Sequence, residues 1–203
     1  MSIVSLVRGR AGGAGKARCY TFRARSPNKN PRMTTIEARL HAVQARISSA
    51  ARACGRRPDE VQLLAVSKTW PAEAVRAAAA AGQRSFGENY VQEGAAKAEA
   101  LRELALDWHF IGPLQSNKTA AVAQAFSWVH GVDRLRIAER LSAQRDVHLP
   151  PLNICLQVNI SAEASKSGVA PADVGALAQA VSALPRLRLR GLMCIPAPTP
   201  DPA

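Results

Sequence analysis

Six short apolar runs recur along the chain at intervals of roughly 20 to 35 residues, and this rhythm constrains the fold more than any other feature. Each run except the last is followed by a stretch of helical composition. Strands that alternate with helices in this way build a parallel sheet covered by helices. The runs begin at Val61, Ser85, Trp108, Trp128, Leu152 and Leu187. The sequence therefore predicts an α/β fold with about six parallel strands.

Two architectures use such units: an open, doubly wound sheet and a (β/α)8 barrel of the TIM type. No G-x-G-x-x-G motif occurs after the first run, residues 61–66, which disfavours the dinucleotide-binding form of the open sheet. A complete barrel needs roughly 250 residues. Because the chain has 203 residues in all, we expect an incomplete barrel.

The first 32 residues differ in composition from the rest. They contain eight of the 27 Lys and Arg residues and no Asp or Glu, so they carry most of the net charge of +12. This composition is typical of a disordered leader or an organellar transit peptide. It also fits an upstream extension if translation starts at Met33, which we favour because a helical pattern begins immediately after it. We expect one folded domain over residues 33–203.

That helical pattern has its own start and stop signals. Thr34 and Glu37 have the spacing of a capping box, and an apolar stripe runs from Ile36 through Leu40 towards Gly55. The sequence predicts an amphipathic helix before the first strand.

The composition of residues 33–203 disfavours several classes of function. No basic cluster with aromatic partners occurs there, which argues against nucleic-acid binding. No apolar stretch is long enough to span a membrane. The four cysteines and four histidines of the chain show no metal-ligand spacing, and His109 has the surroundings of an ordinary strand residue. We expect a cytoplasmic protein without a metal site.

One lysine stands directly after the first predicted strand. In LLAVSKTWP, residues 63–71, Lys68 comes after the carboxyl end of the strand, where functional groups gather in parallel α/β folds. Partial desolvation at such a place lowers the pKa of an amine and lets it attack an aldehyde. A solvated lysine at a strand end is the more frequent case, so position alone leaves both interpretations open.

The second predicted strand ends in the string GENYVQE, residues 87–93. Asn89 stands after this strand as Lys68 stands after the first, and it would place an amide at the same rim. The alternative is that Asn89 caps the next helix. The two interpretations are about equally supported by the local sequence.

The strings LLAVSKTWP, FGENYVQE, WHFIGPLQSNK, LPPLN, QVNIS with SKSG, and LPRLRLRGLMCIP occur in order along the chain. Together they closely resemble the pyridoxal phosphate homeostasis protein family, also called the YggS or PROSC family. The fold of that family is similar to the N-terminal barrel domain of alanine racemase. The resemblance runs from about Met33 to Pro198.

The resemblance implies a noncatalytic protein that binds pyridoxal 5'-phosphate (PLP) and takes part in vitamin B6 homeostasis. The lysine that holds PLP as a Schiff base falls on Lys68, and the asparagine beside the cofactor ring falls on Asn89. It also implies PLP-dependent apoenzymes as candidate recipients. We expect a monomer, and the composition predicts no nucleic-acid or membrane partner.

The family pattern continues past GLMCIP with two further strands, which supply the phosphate grip and an arginine at the pyridine nitrogen. They are missing from residues 33–203, so the sequence given is expected to bind PLP weakly or not at all. Two alternatives remain: a PLP-dependent amino-acid racemase-like enzyme, and a nonfunctional fragment of the homeostasis protein.

Overall fold

The computed structural model describes the backbone of residues 2–7 and 19–22, and describes residues 35–161 and 167–195 in full. Within these residues a single sheet carries α-helices between successive parallel strands. The strands are β1 (Ser2–Val7), β2 (Cys19–Phe22), β3 (Val61–Val66), β4 (Ser85–Glu88), β5 (Asp107–Phe110), β6 (Trp128–Val132), β7 (Leu152–Val158) and β8 (Leu187–Cys194). The helices are α1 (Ile36–Ala53), α2 (Ala72–Ala80), α3 (Val91–Ala100), α4 (Thr119–Ala125), α5 (Leu135–Gln144) and α6 (Val174–Ser182).

The six strands β3 to β8 are all parallel and lie side by side in the order of the sequence. A doubly wound sheet reverses its strand order at a switch point, whereas a barrel adds each strand beside the previous one. The sequential order therefore confirms the prediction of an incomplete barrel. The predicted start of each strand is also confirmed to within one residue.

Strands β1 and β2 lie in the segment for which the composition predicted disorder. Strand β1 pairs antiparallel with β3, from Ser2 opposite Val66 to Val7 opposite Val61, and β2 pairs with β1. The structure therefore describes these two short stretches as strands, and the assignment of residues 1–32 to a leader or an upstream extension stays a prediction. An unpaired β3 would leave a row of open hydrogen-bonding groups, and pairing with β1 satisfies them. The remainder of residues 1–34 lies outside the described residues.

The N-cap of helix α1 lies one residue later than predicted. The N-cap is Thr35, whose hydroxyl accepts a hydrogen bond from the N–H of Ala38 at 3.2 Å. The apolar stripe is confirmed for its first part, since Leu40 is buried and Ile36 packs against the core. Ala50 and Cys54, which would continue the stripe towards Gly55, are exposed, so the prediction is wrong for the end of the helix. The helix ends at Ala53, close to the predicted stop at Gly55.

The main hydrophobic core lies between the sheet and the helices. Phe86, Phe110 and Ile154 point from the strands into it and are fully buried, and Val75 and Leu141 meet them from α2 and α5. A smaller cluster contains Trp128, Cys155 and Met193. No helix in the described part of the chain is long and apolar enough to cross a membrane. The core thus fixes the six strands as one layer and brings their carboxyl ends to one rim.

Candidate functional site

Lys68 lies in a tight turn at the carboxyl end of β3. The preceding residue, Ser67, is fully buried and donates its N–H to the carbonyl of Gly87 at 2.9 Å. The next residue, Thr69, has a φ of 64°, in the left-handed region that β-branched residues rarely adopt. Lys68 itself is half-buried, and its amine forms no hydrogen bond or ion pair with any residue that the structure describes. The turn therefore presents a primary amine at the rim.

Asn89 lies beside this turn, at the end of the neighbouring strand. Val66 pairs with Gly87 in the parallel register of β3 and β4, so Lys68 and Asn89 occupy equivalent positions two residues further on. The N-cap of α3 is Tyr90, so the interpretation of Asn89 as a helix cap is wrong. The Oδ1 atom of Asn89 is buried and has no hydrogen-bond partner within the described ranges. Buried amide oxygens nearly always have a partner, which marks this one as available to a ligand.

Two glycines hold the rim close to Asn89. A Cβ atom on Gly112, just past β5, would overlap the carbonyl oxygen of Asn89 and lie 3.0 Å from its Cα. A Cβ atom on Gly131, in β6, would lie 2.6 Å from the carbonyl oxygen of Gly112. Only glycine allows such an approach of backbone to backbone. The position of Asn89 is thus set by the packing of three successive strand ends.

A cavity of about 230 Å³ opens at the same rim. It is lined by Asn89, Ile111, Pro113, Gln157, Val158, Asn159, Ser167 and Ile195. Lys68 is not among the lining residues. The structure therefore brings Lys68 and Asn89 to adjacent strand ends, but it places Asn89 alone of the two in the wall of this cavity.

A cluster of three charged side chains, two of them buried and the third partly exposed, lies directly beneath the Lys68 turn. The ammonium group of Lys97, on α3, donates to Glu88 Oε1 at 2.8 Å and to Glu93 Oε1 at 2.7 Å. The exposed fraction is 0% for Glu88 and 7% for Lys97, so the pair is shielded from water. Burial acts to raise the pKa of Glu93, but hydrogen bonds from Lys97 and from the N–H of Thr69 outweigh it and leave that pKa lowered.

Sequence reasoning missed this cluster. A signal was present, because the buried positions of α3 are Val91, Gly94 and Lys97, at the spacing of one helix face. A lysine on the buried face of a helix requires a partner, and Glu88 ends a strand whose every residue is buried. Neither residue belongs to a motif of known chemistry, so the pattern did not draw attention to them.

Two histidines from separate parts of the sequence also meet. His109 Nδ1 and His130 Nε2 lie 3.0 Å apart on the adjacent strands β5 and β6, and the ring of Trp128 stacks on His109 with centroids 5.2 Å apart. Burial lowers the pKa of His130 to about 4, so this imidazole is neutral near pH 7. No group of three or more metal-ligating side chains occurs within the described parts of the chain. The pair is therefore a buried polar contact within the sheet.

Comparison with known proteins identifies this arrangement. The family model of the alanine racemase N-terminal domain matches residues 38–203. The solved structure of alanine racemase from Corynebacterium glutamicum superposes with a TM-score of 0.50 at 16% identity, covering 76% of this chain and 44% of that one, which shows the likeness of fold. The fold thus defines a domain of alanine racemase N-terminal type.

Proteins of higher identity narrow the assignment. The pyridoxal phosphate homeostasis protein of Pseudomonas aeruginosa is 63% identical over 171 residues, which cover 84% of this chain and 74% of that protein. The protein of the same name from Escherichia coli K12 is 59% identical over 169 residues, covering 82% and 72%.

A solved relative described with PLP bound, PipY of Synechococcus elongatus PCC7942, is 41% identical with a TM-score of 0.62, covering 75% of this chain and 70% of that one. At these levels of identity and coverage the chain belongs to the pyridoxal phosphate homeostasis protein family.

Proposed function

We propose that this chain binds PLP through the amine of Lys68, with Asn89 beside the cofactor, and acts in PLP homeostasis without catalysing a reaction of its own. The observation that carries the proposal is the pairing of an amine and a buried amide oxygen at equivalent positions of neighbouring parallel strands, neither of which has a partner among the described residues. The relatives support the same cofactor, since one is described with PLP bound and others are named for its homeostasis.

The residues at the rim fit one part of PLP. When bound, PLP would supply an aldehyde, the electrophile with which the primary amine of Lys68 would condense, with water as the leaving group. Lys68 offers that amine, and within residues 35–161 and 167–195 it has no ion pair that would have to break first. Asn89 offers Oδ1 as an acceptor for a polar group of the ring, and the glycine contacts at Gly112 hold it in place. The chain's own contribution is thus an accessible amine and an oriented amide.

Absence of catalysis is the second half of the proposal. Racemases of this fold class need an acid or base that moves a proton at the bound substrate. The titratable groups packed under the Lys68 turn, Glu88, Glu93 and Lys97, are bonded to one another and to the backbone. This engagement favours a carrier over the racemase-like alternative. Conversion of L-alanine to D-alanine that is abolished in Lys68→Ala would reverse that preference.

Reductive trapping tests the binding residue. The purified chain is incubated with PLP, reduced with borohydride, digested and mapped by mass spectrometry, so that even weak binding leaves a permanent mark. We expect the pyridoxyl group on the peptide that contains Lys68. A Lys118→Ala variant serves as the matched control and should keep that label. Label spread over the lysines without preference for Lys68 would refute the assignment.

A further inference from the structure

The backbone on both sides of Lys68 is tied to one buried ammonium group, that of Lys97. Lys97 Nζ donates to the carbonyl oxygen of Ser67 at 2.7 Å, in addition to its bonds to Glu88 and Glu93. The N–H of Thr69 donates to Glu93 Oε1 at 2.6 Å, the same oxygen that accepts from Lys97. A lysine ammonium has three donors, and all three are used here. The residues immediately before and after Lys68 therefore converge on one charge cluster.

A further hydrogen bond holds the turn on the Ser67 side of Lys68. The hydroxyl of Ser67 donates to Glu88 Oε1 at 2.6 Å, so both the carbonyl and the side chain of Ser67 are held by the Glu88–Lys97 pair. On the other side, Glu93 holds Thr69 in its left-handed conformation, with φ at 64°. Non-glycine residues persist in that region where surrounding contacts over-determine them. The cluster supplies such contacts from helix α3 to the turn after β3.

Stability alone does not account for this arrangement. Replacing a buried ion pair by apolar side chains of similar volume is often neutral or stabilising, because taking two charges out of water is costly. The cluster is also imperfectly satisfied, since Glu88 Oε2 is buried and has no partner among the described residues. Each of the three charged side chains nevertheless forms a hydrogen bond to a residue that flanks Lys68: Lys97 and Glu88 to Ser67, and Glu93 to Thr69.

We propose that Lys97, with Glu88 and Glu93, is a positioning device that fixes the Ser67–Thr69 turn and so aims the amine of Lys68 at the rim. The inference rests on the proposed function for the role of Lys68. The clamp itself, by which we mean the hydrogen bonds from Lys97 to Ser67 and from Thr69 to Glu93, is a property of the turn. Lys97 touches no reacting atom in this scheme. It acts through the carbonyl of Ser67 and, by way of Glu93, through the N–H of Thr69.

Glu93→Ala is the decisive variant, because the Glu93 side chain is 29% exposed and its loss leaves the fully buried Glu88–Lys97 pair intact. Two measurements are made on the full chain: hydrogen exchange of the Thr69 amide, and the rate at which borohydride traps PLP on Lys68. We expect exchange about tenfold faster, the factor that one charge-assisted hydrogen bond contributes to an opening equilibrium. We also expect trapping several-fold slower at unchanged final stoichiometry.

Two further variants separate positioning from general loosening. Glu93→Gln keeps an oxygen that can accept from Thr69 and should restore most of the trapping rate. Arg76→Met breaks the exposed Arg76–Glu103 ion pair, whose 2.6 Å contact does not involve the turn, and should change neither measurement.

The outcomes divide cleanly. Faster Thr69 exchange with slower trapping supports the device. Unchanged exchange in Glu93→Ala overturns the clamp, and faster exchange with an unchanged trapping rate overturns its role in aiming Lys68. If the wild-type chain is not trapped at Lys68, the proposed function fails, and Thr69 exchange alone then decides whether the clamp exists.

Discussion

Replacing His130 by glutamine should flatten the pH dependence of stability on the acid side of neutrality. His130 is 1% exposed, and burial lowers its pKa to about 4, against an ordinary value of 6.5. Between these two values the unfolded chain binds a proton that the folded chain refuses, so the free energy of unfolding rises with pH. The stability contributed by neutral His130 is fully present above about pH 6.5 and is lost as the pH falls towards 4.

The size of the effect is set by the pKa shift. A difference of one pKa unit corresponds to about 1.4 kcal/mol. Titration of His130 should therefore lower the free energy of unfolding by about 3 kcal/mol, relative to neutral pH, when the pH reaches the pKa of His130 in the folded chain. Glutamine does not titrate, and its amide can still pair with His109 Nδ1, which His130 meets at 3.0 Å. The His130→Gln variant should therefore lose this part of the slope without losing the contact.

Urea unfolding between pH 4 and pH 8 measures the slope directly. Carboxylates titrate in the same range, so the quantity that matters is the difference between the wild-type and His130→Gln profiles. A His41→Gln variant, changed at an exposed position of α1, is the matched control and should match the wild type. Parallel profiles for wild type and His130→Gln would show that His130 is not held neutral by burial, and the reasoning would be wrong.

Substitutions that change single contacts at the rim, beneath it and on the outer helices should each change the free energy of unfolding or the binding of PLP by a measurable amount. Gly112→Ala should destabilise the fold by about 1–3 kcal/mol in urea unfolding and impair PLP trapping, because its Cβ would overlap the Asn89 backbone, which cannot yield as a side chain can. Gly175→Ala, on α6 where a Cβ meets nothing within 4 Å, should instead stabilise by about 0.5–1 kcal/mol. Asn89→Ala should weaken PLP retention in a dialysis assay while leaving the unfolding midpoint unchanged or higher, since it removes an unsatisfied buried oxygen; a lower midpoint with unchanged retention would contradict this. Lys97→Met should cost about 3–5 kcal/mol by leaving Glu88 unpaired, and adding Glu88→Gln should recover most of that loss; no recovery would show that the charge is not the cause.

Local sequence was sufficient for the parallel strands. The run that begins at Val61 is bounded by turn-forming residues, and the same signals recur at each later strand, so spacing alone located all six. It was insufficient for the strand Ser2–Val7, although SIVSLV has strand-forming composition, because the surrounding basic residues dominated the average. Its pairing partner, β3, lies more than fifty residues away, and pairing at that distance leaves no local mark.

The residues of the candidate site, too, could be predicted from local sequence only in part. Lys68 and Asn89 could be named because each comes directly after a strand, and the carboxyl ends of parallel strands share one rim. Whether Asn89 capped a helix could not be decided locally, because a cap and a ligand-facing amide use the same residue type at the same place. The packing of Gly112 against its backbone settled its position, and that contact spans two strands.

The sequence by itself determined the order of the six parallel strands and the helices between them, and it named two residues at the rim of that sheet, because these depend on periodicity and on neighbours along the chain. Tertiary structure alone decided which charges and imidazoles meet: Lys97 with Glu88 beneath the Lys68 turn, and His109 with His130 across two strands. Such contacts depend on strand register and on the face that each helix buries. These become definite only when the whole sheet has formed.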